Sequence, residues 1–148
     1  MKFYIWAGYA MTGIAISLTS AASAQPAIAT DSAVFVERIE NGSQRSLEPA
    51  NRLSRGDRVV TIVNWYRMGG DGGFTITNPL PRAIAYQGSA RDDQEVSVDG
   101  GRTWGKLGTL RIAGRLASPE DVTHMRWRVP AGTAARGQGR IAYSGIVR

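Results

Sequence analysis

The sequence predicts an all-β fold, an antiparallel β-sandwich. Three observations lead there. Short apolar runs recur every 10 to 20 residues, separated by Gly, Pro, Asn and Asp. No stretch sustains a helical period over about three turns. The segment Ser97-Val98-Asp99-Gly100-Gly101-Arg102-Thr103-Trp104 carries the chemistry of a tight β-hairpin between two alternating apolar runs.

The chain opens with a segment that reads as targeting rather than fold. Lys2 gives a minimal positive start, and an apolar run extends from Phe3 to about Leu18. Small residues then end in Ala22-Ser23-Ala24 before Gln25, an A-x-A cleavage pattern. The competing reading is an uncleaved anchor, but Gly8, Thr12, Gly13 and Ser17 interrupt a run already short of the roughly 20 apolar residues a span needs. Cleavage between Ala24 and Gln25 leaves 124 residues, enough for one domain. Residues 25–32 read as a flexible lead-in and 33–148 as the domain.

Ala33–Ile39 reads as the first strand, closed by an Asn41-Gly42 turn. Leu53–Asp57 is a polar turn bending at Gly56. Arg58–Tyr66 is rich in β-branched residues and apolar on both faces, which predicts a central strand. Val60, Ile62, Asn64 and Tyr66 share one face; Val59, Thr61, Val63 and Trp65 share the other. On that pattern Asn64 is expected as a buried structural amide, and Trp65 as the aromatic best placed for an exposed contact.

After the glycine-rich loop 68–73, Phe74–Thr77 resumes a strand that Asn78-Pro79-Leu80-Pro81 must break. Ile84 and Tyr86 mark the next strand, Val96 and Val98 lead into the hairpin, and Leu107–Ile112 follows it. Ser118-Pro119 can start a single helical turn. Val122–Val129 alternates cleanly, with Thr123, Met125, Trp127 and Val129 on one face and His124, Arg126 and Arg128 on the other. Arg140–Val147 is the last strand, joined to the previous one by Ala131–Gly139 as a hairpin-like return.

In the hairpin, Gly100 and Gly101 supply positive φ, and the Asp99 carboxylate is placed to accept backbone N–H groups. Ser97 and Thr103 offer hydroxyls, and Trp104 packs beneath. The segment resembles the Asp-box of sialidase-like propellers, but one copy in a chain this short excludes a propeller. The element is therefore read as structural.

A wider resemblance runs from about Leu53 to Arg148. Gly56-Asp57 with Val59–Asn64, Asn78-Pro79-Leu80-Pro81, Ile84–Ala90, Ser97–Trp104, Val122–Trp127 and Gly137–Val147 fall in order. Together they resemble the "domain of unknown function eleven" module of bacterial envelope proteins. Asn78 stands where that pattern carries Asp. The resemblance implies an immunoglobulin-like sandwich of about seven to nine short strands, an envelope location and no catalytic residues. Those modules occur as repeats, whereas a single one is present here, which argues against a stalk or spacer role.

Composition narrows the chemistry. No cysteine is present, which excludes thiol catalysis, zinc–thiolate sites and disulfides. Lys and Arg number 18 against 12 acidic residues, for a net charge of +6. The arginines are scattered rather than clustered, so a nucleic-acid footprint is not expected. His124 is the single histidine, without a second His to build a metal site or a nucleophile to serve. Asp92, Asp93, Glu95 and Asp99 are close in sequence but fit no EF-hand spacing. Ser54, Ser89 and Ser144 lack a nucleophile-elbow context.

The expectation is an exported, non-enzymatic binding or structural module without cofactor or metal. Its partner would be an envelope protein, met through loops or an edge strand. The main rival is a carbohydrate- or anion-binding module using Trp65, His124, Arg126 and Arg128; a small hydrolase is the remaining one.

Overall fold

The computed structural model describes residues 27–148; the expected signal segment and the expected Ala24–Gln25 cleavage boundary lie outside them. The strands are β1 (Ile28–Glu40), β2 (Gln44–Pro49), β3 (Arg58–Arg67), β4 (Phe74–Pro79), β5 (Ile84–Ser89), β6 (Glu95–Ser97), β7 (Arg111–Ile112), β8 (Arg115–Leu116), β9 (His124–Val129) and β10 (Gln138–Val147). One sheet has the order β2-β1-β3-β10-β5 and a second the order β4-β9-β6, while β7 and β8 form a small ribbon. Every strand pairing is antiparallel. The two larger sheets share one core. Val59, Val63, Trp65, Ile141 and Tyr143 come from the first, and Ile76, Val96, Met125, Trp127 and Val129 from the second. The chain is an all-β sandwich. No helix among the described residues is long and apolar enough to cross a membrane.

β3 is the middle strand of the larger sheet, as its two apolar faces predict. Its parity is the reverse of the expectation. Val59, Thr61, Val63 and Trp65 are buried, whereas Val60, Ile62 and Asn64 are half-exposed and Tyr66 is exposed on the outer side. β1 begins at Ile28, so residues 28–32 of the expected lead-in are strand. Their apolar pattern is weak; backbone pairing to β3, from Ile28 opposite Arg67 to Ser32 opposite Val63, fixes them. Asn41 and Gly42 both adopt positive φ in the β1–β2 turn.

β4 runs through Pro79. It is an edge strand, where a missing N–H on the open side breaks no ladder bond. Leu107–Ile112 is not one strand. A 3-10 turn, Leu107–Thr109, precedes β7, which folds back on β8 through Ala113-Gly114, both at positive φ. A second 3-10 turn, Pro119–Asp121, follows Ser118, whose N–H and hydroxyl donate to Asp121 at 2.8 and 3.0 Å. The expected return between the last two long strands is a crossing instead. β9 lies in the smaller sheet and β10 in the larger, and the short helix α1 (Ala131–Ala134) bridges the layers, with Ala134 fully buried.

Candidate functional site

The Ser97–Trp104 hairpin is closed by paired backbone bonds between Val96 and Gly105, at 2.8 and 3.1 Å. Inside it the Asp99 carboxylate accepts from the Thr103 hydroxyl (2.6 Å), the Ser97 hydroxyl (2.8 Å) and the backbone N–H groups of Thr103 (2.9 Å) and Arg102 (3.1 Å). The Thr103 hydroxyl and N–H, with Ser97, hold the carboxyl far below the usual carboxylate range. Gly100 and Gly101 take φ of 80° and 90°. The Trp104 indole N–H donates to the Gly101 carbonyl at 2.9 Å, which fixes the ring against the turn. Asp99 therefore spends its acceptors on the fold.

Beside this turn, β9 presents His124, Arg126 and Arg128 on one outer face. The Arg126 guanidinium lies 4.7 Å from the Trp104 ring centroid, and its Nε donates to Glu95 at 2.7 Å. His124 stands edge-on to Trp104 at 6.5 Å, with Nδ1 3.1 Å from the Thr123 hydroxyl. The Arg126 bond to Glu95 holds that carboxyl below its ordinary value. Arg128 reaches only to 4.0 Å from Glu95 and its side chain is 73% exposed. The structure thus joins three of the four residues expected on a binding face.

Trp65 is not among them. It is 2% exposed, on the inner side of β3, edge-on to Phe74 at 5.1 Å and flat against Gly139. Asn64 is correspondingly not a buried amide; it faces outward and donates to Asp31 at 2.8 Å. The aromatic partner of the basic face is Trp104. The cue for it lies in the sequence, since the hairpin returns Trp104 alongside the polar face of β9.

Three of the four clustered carboxylates, Asp93, Glu95 and Asp99, are engaged by other side chains. Arg91 binds Asp93 through Nε at 2.9 Å, Arg126 takes Glu95, and Arg115 holds Asp121 at 2.7 and 2.8 Å. Lys106 donates to the carbonyls of Asp92 and Gln94. Among the described residues no group of three or more His, Asp or Glu side chains is placed to hold a metal.

The outer face of the five-stranded sheet was not singled out by the sequence. Register stacks its outward residues in rows across β1, β3 and β10: Phe35–Val60–Ser144, Ala33–Ile62–Ala142, Asp31–Asn64–Arg140 and Ala29–Tyr66–Gln138. The centre is apolar. Leu47, opposite Glu37, and Ile39 extend it, at 46% and 68% exposure, and Tyr66 at 38% stands at the other end. Hydrogen bonding to Asp31, and its charge, hold the Tyr66 phenol above its ordinary value. The charges are ordered: Asp31 and Glu37 on β1, and Arg58 and Arg140 on β3 and β10. Glu37 and Arg58 pair at 3.0 Å.

Comparison of the chain with protein-family models, curated proteins and solved structures finds no match.

Proposed function

We propose that this chain is an exported, non-enzymatic module of the bacterial envelope that works through a protein–protein contact on the outer face of its five-stranded sheet. The observation that carries this is the apolar centre of that face, Ala33, Val60, Ile62 and Ala142, on the side of the sheet away from the core. An antiparallel sheet with one face on the core and one in water ordinarily alternates apolar with polar residues. Here both faces are apolar, and contiguous exposed apolar surface marks interaction sites. The order of motifs from Leu53 to Arg148 that resembles the immunoglobulin-like envelope module, and the A-x-A pattern at Ala24, support the location.

The glycan alternative draws less support. Arg126 is bound to Glu95 and lies over the Trp104 ring, which leaves Arg128 as the freest cation of the expected set. A photo-crosslinking residue in place of Ala33, with a second chain carrying it in place of Arg128, tests the proposal in the native envelope. Protein adducts from position 33 are the expected result. Adducts or salt-sensitive polysaccharide retention confined to position 128 would overturn it.

A further inference from the structure

We infer that the surface covering this face is a second copy of the same chain, joined sheet to sheet about a two-fold axis running along β3. The inference rests on the reading of that face as a contact surface. Two sheets stacked face to face in this way place β1 of one copy over β10 of the other, because β1 and β10 flank β3. Rows are kept, so each outward residue of β1 meets the residue of β10 that shares its row. Asp31 then faces Arg140 of the second copy, and Arg140 faces its Asp31. Ala33 meets Ala142, and Ile62 meets its own equivalent at the centre. An isologous contact requires such self-complementarity.

The charge order selects this axis over the other face-to-face arrangement. An axis across the strands would lay β1 on β1 in reverse and bring Asp31 toward Glu37, acid against acid. The axis along β3 instead makes two acid–base contacts; it also brings Arg58 onto its own equivalent, each neutralised by the Glu37 of its own chain at 3.0 Å. Size also fits. The strands β1, β3 and β10 overlap over about ten residues and β2 and β5 widen the sheet over about four, which at about 3.3 Å per residue and about 4.8 Å per strand gives a flat footprint on the order of 600 Å². Side-chain relief, Tyr66 and Phe35 included, brings that toward the roughly 800 Å² per partner of a standard interface. Packed sheets cross at about 30°, so the central rows stay in contact while the corners splay.

The test is the mass of the full chain in solution, by sedimentation velocity over a dilution series, with charge variants. A dimer is expected. Asp31→Arg and Arg140→Glu should each raise the dissociation constant by at least about tenfold, since each sets like charges opposite one another. Asp31→Arg combined with Arg140→Glu should bring it back, because the exchanged pair is again opposite in sign. Far-UV circular dichroism confirms that each variant is folded. A wild-type monomer at every concentration, or a double variant no better than the singles, overturns the second copy. Should the monomer still crosslink from position 33 to a different protein, the contact-surface reading survives; without any adduct from position 33, that reading falls too.

Discussion

Gly139→Ala should destabilise the protein although it adds one methyl group. Gly139 lies opposite Trp65 in the β10–β3 ladder, and the indole lies across it. A β-carbon there would fall 2.4 Å from Cζ2, 2.6 Å from Cε2 and 2.7 Å from Nε1 of Trp65. Carbon atoms pack at about 3.5–4.0 Å, so the ring must retreat by about 1 Å. Trp65 is 2% exposed and Phe74 stands edge-on at 5.1 Å, so the ring has little room. Overpacking of this kind costs about 1–3 kcal/mol. Restricting the unfolded chain returns roughly 0.4–1 kcal/mol. The net is a loss of about 1–2 kcal/mol, or a fall in Tm of about 3–10 °C for a domain of this size. Thermal unfolding followed by circular dichroism, at one protein concentration, measures it. Gly88→Ala is the control, because no atom lies within 4 Å of its added carbon; it should be neutral or slightly stabilising. Trp65→Phe removes the outer part of the indole with Cζ2, the atom of closest approach, so Gly139→Ala should cost less in that background. A Gly139→Ala protein as stable as the Gly88→Ala control, or a cost unchanged by Trp65→Phe, would refute the packing argument.

Met125 is fully buried at the centre of β9, so Met125→Ala should cost about 2–5 kcal/mol in a denaturant titration. Asp99 titrates below its ordinary value in the folded state, so its contribution is complete above the ordinary carboxylate range and lost as pH falls through the folded value. Asp99→Ala should therefore lower Tm at neutral pH by an amount that shrinks in acid, and a difference constant with pH would count against the hairpin lock. Arg126→Ala removes a pair about one-quarter exposed on each side, and its stability cost should stay within about 1 kcal/mol in the same titration.

The residues that were legible are those whose surroundings are local. The β9 alternation placed Met125, Trp127 and Val129 inside and His124, Arg126 and Arg128 outside, as period two requires. The turn of Asp99, Gly100 and Gly101 follows from residues a few positions apart. What the sequence could not place depends on neighbours far along the chain. β1 starts at Ile28 because β3 pairs with it, not because of its own pattern. The stretch Ala131–Gly139 resembles a hairpin return, yet it crosses between layers because β10 pairs with β3 and β5 rather than β9.

β3 shows the limit most clearly. Val59, Thr61, Val63 and Trp65 are about as apolar as Val60, Ile62, Asn64 and Tyr66, so period two gives two faces and no means to choose between them. The choice is made by Gly139, the residue opposite Trp65, where the missing side chain opens a slot for the indole on the core side. Once Trp65 turns inward, Ile62 and Val60 must turn outward. An apolar face then remains on the outer side, and Asp31 and Arg140 flank it in a single row with opposite charge. The feature that misleads a reading of β3 on its own is thus the same one that gives the outer side of the sheet its apolar centre.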